Sequence, residues 1–169
     1  SIEAGRLRLQ PESVAAHEML KTLVAHYHEW ARLRAVEVHL EIQTRLSLST
    51  DPGALQQILE NFFSNALKYT PAHKKIWLRL IQQDSEAYPV RFEVEDQGPG
   101  IAPHKQIHLS KPFSPLSSPL ADGERSTGLG LAIVKKLAEL LGGQVSCRSE
   151  WGYGSCFVLE LPAEMQIKN

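Results

Sequence analysis

Asp51-Pro-Gly-Ala-Leu-Gln-Gln-Ile-Leu-Glu-Asn-Phe-Phe-Ser-Asn-Ala-Leu-Lys-Tyr-Thr-Pro71 reads as one helix with both ends written into it. Asp51 is an N-cap residue, Pro52 suits a first turn where its missing N–H is no loss, and Thr70-Pro71 ends the run. Leu55, Ile58, Leu59, Phe62 and Ala66 fall on one stripe at helical spacing and form the face for a core. Asn61, Asn65, Lys68 and Tyr69 occupy i, i+4, i+7 and i+8 and share a neighbouring stripe. Two amides and a lysine therefore border the core. Alone, such a stripe reads more readily as the polar shoulder of a surface helix than as the wall of a ligand site.

Upstream, residues 13–33 carry apolar residues at Val14, Leu20, Leu23, Val24, Tyr27, Trp30, Ala31 and Leu33, which predicts one long amphipathic helix. Residues 36–42 and 46–50 alternate with period two and predict strands. Downstream, residues 75–82 and 90–96 alternate again, joined by a polar stretch, and predict a strand pair. Residues 98–127 are rich in proline and glycine with little periodicity, and a loop of that length inside a compact domain is usually functional. A helix over 128–141, capped by Gly142-Gly143, and a closing hairpin of 144–150 with 155–161 complete the chain.

At 169 residues the chain fits one domain with one core. Lys plus Arg is 18 against 19 for Asp plus Glu, so no basic excess points to nucleic acid or an anionic membrane, and any anion must be held by a local site. No apolar run approaches the roughly 18 residues of a membrane span, and the expected location is cytoplasmic, whether or not a parent protein is membrane-anchored. If Val145 and Cys147 share a buried face with Phe157 and Leu159, alternation sends Cys156 to the other face. The two cysteines are therefore expected to be free thiols.

Two further stretches carry chemistry. Glu93-Val-Glu-Asp96-Gln-Gly98-Pro-Gly100-Ile101 sets an acid at a strand end, followed by glycines that admit close backbone approach. A carboxylate there can accept from an exocyclic amine, or it can simply open an Asp-Gly turn. Ser126-Thr127-Gly128-Leu129-Gly130-Leu131 joins a glycine pair to a helix start, where free amides and the positive dipole end favour phosphate. It is not the dinucleotide fingerprint, because Ile133 stands at the third glycine position, and no Gly-Lys-Ser/Thr makes it a P-loop.

In this order the motifs resemble those of sensor histidine kinases. Asn61-Phe-Phe-Ser-Asn65-Ala-Leu-Lys68-Tyr69-Thr-Pro is similar to their asparagine box, Asp96-Gln-Gly98-Pro-Gly100 to the first glycine box and Thr127-Gly128-Leu-Gly130-Leu to the second. Lys111-Pro-Phe113 resembles the phenylalanine box, with Ser110 where an aromatic is common, and Gly152-Tyr-Gly154-Ser155-Cys-Phe157 the last glycine box. The resemblance implies a Bergerat-type α/β two-layer sandwich, with helices on one face of a mixed sheet and a long ATP lid. It implies ATP and magnesium as cofactors: Asp96 for the adenine amine, Asn65 for magnesium, Asn61 and Lys68 for phosphate or metal. Tyr69 would lie by adenine and ribose, Gly128 and Gly130 would wrap the phosphates, and Gly98, Gly100, Ile101, Thr127, Leu129, Leu131 and Ser155 would complete the binding set.

Relatives in this superfamily such as DNA gyrase and MutL carry a glutamate as base four residues before the metal-binding asparagine. Here that position is Asn61, and Glu60 is turned about 100 degrees from the stripe. The chain thus resembles the kinase branch, whose nucleophile comes from elsewhere. Residues 1–10 resemble the exit segment of a missing dimerisation and phosphoacceptor domain, and residues 11–169 the catalytic domain. The implied partners are that domain, through it a response regulator, and a second copy in a homodimeric parent, with no nucleic acid and no direct membrane contact. His28-Glu29 imitates a phosphoacceptor site, but falls on a core-packed helix. His104 and His108 are spaced like zinc ligands, but lack the glutamate of that motif and read as loop residues. A module that binds ATP without transferring phosphate is the other reading.

Overall fold

A computed structural model of the chain describes residues 2–3, 6–7, 9–102 and 126–166, with 2–3, 6–7 and 126–129 described by backbone only. The lid expected over 98–127, the Lys111-Pro-Phe113 box, Ser110, His104 and His108 lie mostly or wholly outside the described residues.

Strands β1 (Ile2–Glu3) and β2 (Arg6–Leu7) pair antiparallel. Then come β3 (Glu12–Ala15), α1 (Ala16–His26), α2 (His28–Leu33), β4 (Glu37–Ile42) and β5 (Ser47–Thr50). Helix α3 (Pro52–Tyr69), β6 (Lys75–Gln82), β7 (Val90–Asp96), α4 (Ser126–Leu140), β8 (Gln144–Glu150) and β9 (Gly154–Leu161) follow. The main sheet has the order β4-β6-β7-β9-β8, parallel between β4 and β6 and antiparallel elsewhere. It is the mixed sheet of a two-layer α/β fold.

Alternation sets the two faces. Ile76, Leu78 and Leu80 of β6 and Val90, Phe92 and Val94 of β7 are buried, and they meet Leu55, Ile58, Leu59, Phe62, Phe63 and Leu67 of α3 in one cluster. The other face is laced by charge: Arg79 reaches Glu95 at 2.7 Å and Glu93 at 3.2 Å, and Arg91 reaches Glu93 at 2.7 Å. Helix α3 begins as its sequence indicates, with the Asp51 carboxylate accepting from the Ala54 N–H at 2.8 Å and Pro52 in its first turn.

The single helix expected over 13–33 is not what forms. Glu12–Ala15 is a strand, paired antiparallel with β5 in the register Val14↔Leu48, and a helix follows only from Ala16. Val14 is buried in either conformation, so its apolar character could not distinguish them. The helix also breaks at Tyr27, whose φ of -98° and ψ of 9° are not helical. The Tyr27 ring packs on Phe63 with centroids 5.7 Å apart, and its hydroxyl donates to Glu60 at 3.2 Å, so tertiary packing on α3 overrides the local pattern. His28-Glu29 opens α2 beyond this break.

At the other end, α4 starts two residues before the expected Gly128. Val145 and Cys147 face the same side as Leu159 and Phe157, opposite Arg148 and Cys156, and both thiols are free. Burial pushes both thiols up from their ordinary range, which makes them poor nucleophiles. Among the described residues no helix is long and apolar enough to cross a membrane.

Candidate nucleotide site

The polar stripe of α3 is half-buried at Asn61, Asn65, Lys68 and Tyr69, while the adjoining core stripe is fully buried. Asn65 Nδ2 donates to Asn61 Oδ1 at 3.3 Å. That bond leaves Asn65 Oδ1 without a donor among the described residues. Glycine brings α4 against the same amides: a Cβ placed at Gly130 would stand 2.8 Å from Asn61 Nδ2. Because α4 starts early, Gly128 sits in its first turn, where amides are free, and Gly130 on the turn after it. Gly130 therefore serves close approach of a side chain. Thr127, Gly128 and Leu129 are placed by backbone alone, whereas Leu131 is buried beside Ile101.

Asp96 ends β7 on the helix-facing side and is 9% exposed. The N–H groups of Gly98, at 2.8 Å, and Ser155, at 3.3 Å, both donate to its Oδ1. No described residue donates to Oδ2. Burial pushes this carboxyl up to about 6, against the lowering effect of the two N–H donors. Gly98 closes the gap to α3, since a Cβ there would lie 3.2 Å from the Tyr69 carbonyl oxygen and 2.9 Å from Asp96 Oδ1.

The β8–β9 hairpin holds this loop from beneath. Gly152 N–H donates to the Pro99 carbonyl at 2.7 Å. Gly100, at φ 75°, and Gly154, at φ 136°, lie where an added Cβ would run into the carbonyls of Glu150 and Asp96, at 2.3 and 2.0 Å. Ser149, which sequence reading passed over, joins the two segments: its Oγ accepts from Ile101 N–H at 2.6 Å and lies 2.9 Å from the Ser155 Oγ. The register Ser149↔Ser155 is the signal that could have found it, because directly opposed residues share a face.

Glu60 points elsewhere. Its carboxylate accepts from Tyr27 on the α1–α2 side, leaving Asn61 and Asn65 as the stripe beside Gly130.

One wall of two amides, one buried carboxylate with an open oxygen, and glycines where the walls meet make a cradle for a polar, phosphorylated ligand. A family profile described as Histidine kinase-, DNA gyrase B-, and HSP90-like ATPase matches residues 50–165, which include all of these groups. The chain belongs to this family. Within it, the likeness is to the ATP-binding catalytic domain of sensor histidine kinases. The circadian input-output histidine kinase CikA of Synechococcus elongatus is 33% identical over 99% of the chain, and the autoinducer 2 sensor kinase/phosphatase LuxQ of Vibrio vulnificus 35% over 96%. The chain spans only 22% and 20% of those proteins. Among solved structures, full-length ShkA in complex with AMPPNP superposes with a TM-score of 0.78 at 32% identity, over 92% of this chain and 32% of that one. The catalytic domain of histidine kinase ThkA shares the fold, with a TM-score of 0.76 at 22% identity over 94% of this chain and 100% of that one.

Proposed function

We propose that this chain binds magnesium-ATP between α3, the Asp96 loop and the start of α4, and presents its γ-phosphoryl group to a histidine on a separate dimerisation domain. The meeting of Asn61 with Gly130, and of Tyr69 with Gly98, carries this reading, because it draws three distant stretches of sequence around one cradle.

The donor set fits the ligand. Asp96 Oδ2 accepts from the adenine amine, and guanine, with a carbonyl in its place, is disfavoured. Tyr69 borders adenine and ribose. Asn65 Oδ1 is an uncharged hard oxygen that would suit magnesium and would add no negative charge beside a triphosphate. Asn61 and Lys68 meet phosphate or metal, and the first-turn amides of α4 receive the phosphate oxygens. Gly98, Gly100, Ile101, Thr127, Leu129, Leu131 and Ser155 shape and support the pocket. Bound magnesium supplies charge neutralisation at the β- and γ-phosphates.

Transfer then needs a nucleophile from outside. The imidazole lone pair forms the N–P bond as the bond from the γ-phosphorus to the bridging oxygen breaks, and ADP leaves with that electron pair. Neutral imidazole needs no base to attack, whereas water does. Asn61 cannot take a proton, and Glu60 is engaged by Tyr27. Slow hydrolysis by the chain alone follows. Residues 1–10 are the exit segment from the histidine-bearing domain and 11–169 the catalytic domain. The partners are that domain, a second copy in a homodimeric parent, and a response regulator, all in the cytoplasm. Calorimetry with Asn65→Ala tests the metal role: ATP affinity should fall at least about tenfold, about 1.4 kcal/mol, with magnesium and change little without it. Unchanged magnesium dependence removes Asn65 from this role.

A further inference from the structure

We propose that Arg34, outside every stretch that forms the nucleotide cradle, is a positioning residue that clamps the end of α3 on which Lys68 and Tyr69 stand. Its Nε donates to the Leu67 carbonyl at 2.9 Å, and one terminal nitrogen donates to the carbonyls of Lys68 at 2.7 Å and Thr70 at 3.1 Å. The last carbonyls of a helix have no partner within it and form the negative end of its dipole. A guanidinium answers both needs, with charge for the dipole and a planar fork that serves several acceptors together.

The clamp has a fixed base. Arg34 closes α2, its N–H bonded to the Trp30 carbonyl at 3.0 Å, and Ala35 follows at φ 55°. The Ala35 carbonyl accepts from His73 N–H at 2.7 Å, and Glu37 N–H donates to the Lys74 carbonyl at 3.0 Å. The turn before β4 is thereby laced to the turn that leaves α3. Between them lies the final turn of α3, and the Tyr69 carbonyl at its edge is the group that abuts Gly98. Helix ends fray unless tied. Without the clamp, the directions of Lys68 and Tyr69 loosen before the core does.

The inference rests on the reading of α3 as the phosphate-side wall, so the experiment separates the two. Magnesium-ATP affinity and Tm are measured for this chain, Arg34→Ala, Arg34→Lys and Asp51→Ala. Asp51→Ala unties the opposite end of the same helix, since that carboxylate caps Ala54 N–H. Arg34→Ala should raise Kd about tenfold. Arg34→Lys should be intermediate, because an ammonium keeps the charge but loses the fork. Asp51→Ala should lower Tm comparably and leave Kd within about twofold. Equal affinity loss in Asp51→Ala and Arg34→Ala, or no loss in Arg34→Ala, overturns the clamp and leaves the nucleotide site standing. Failure of the unsubstituted chain to bind ATP overturns both. Should Arg34→Ala not fold, Arg34→Lys against Asp51→Ala makes the same comparison.

Discussion

At the scale of residues, Asp96 shows a site held at a cost to the fold. A buried carboxylate that receives both of its N–H donors on one oxygen is kept with the other oxygen ready for a ligand, and its charge is poorly solvated meanwhile. Its pKa, pushed up to about 6 by burial, fixes the sign of the effect. Between about 4, the ordinary aspartate value, and 6 the folded chain holds a proton that the unfolded chain has released, so stability declines as pH rises through that window. Asp96→Asn removes the charge, and Oδ1 can still accept from Gly98. At pH 7.5 this variant should be more stable by roughly 3 kcal/mol, with the difference vanishing towards pH 4. It should also lose about tenfold or more in ATP affinity, because the side-chain amide then presents a donor to the adenine amine. Thermal melts across pH, paired with calorimetry, check both halves. Higher affinity in the variant would remove Asp96 from base recognition.

At the scale of elements, α3 and α4 differ in how much their sequences disclose. The cap, the proline, the core stripe and the stop of α3 are all local features, so its bounds and buried face could be read directly. The sequence before α4 has no periodicity to mark where a helix starts, and the helix begins at Ser126 rather than Gly128. The role of Gly130 was hidden for a related reason. Its contact is with Asn61, 69 positions earlier, and spacing along one helix carries no sign of a neighbour on another. Gly130→Ala is informative because two effects oppose. Alanine favours a helix interior by up to about 1 kcal/mol, so Tm should hold or rise. The new methyl displaces the Asn61 amide, so magnesium-ATP affinity should fall about tenfold. A variant that binds as tightly as its parent would show that the Asn61–Gly130 contact has no part in binding. The Tyr27 break was illegible for the same reason as the Gly130 contact, since its cause, Phe63 and Glu60, lies on α3.

At the scale of the whole molecule, the alternation of β6 and β7 carried the two-layer architecture into the sequence, because Ile76, Leu78, Leu80, Val90, Phe92 and Val94 all fall on the face that α3 covers. The main sheet's order was not written there. Bringing β9 between β7 and β8 sets Gly154 and Ser155 beneath Asp96, a consequence of long-range pairing that no short window contains. The sheet and α3 thus supply a floor and a wall, and the proposed function puts base recognition at Asp96 and phosphate handling at the Asn61–Gly130 side. If that division holds, the chain alone should bind ATP and hydrolyse it slowly. On the proposed reading, Asn61 puts no base on that wall and the acceptor histidine would come from a separate domain. The most direct measurement incubates this chain with γ-labelled ATP and magnesium, alone and with a dimerisation domain bearing its histidine. The expected result is little phosphate release alone and, with the domain, an acid-labile, base-stable phosphoryl group on that histidine, lost in Asn65→Ala. Rapid ATP hydrolysis by the chain alone, abolished by Asn61→Ala, would contradict the account and assign the chain to the hydrolase branch.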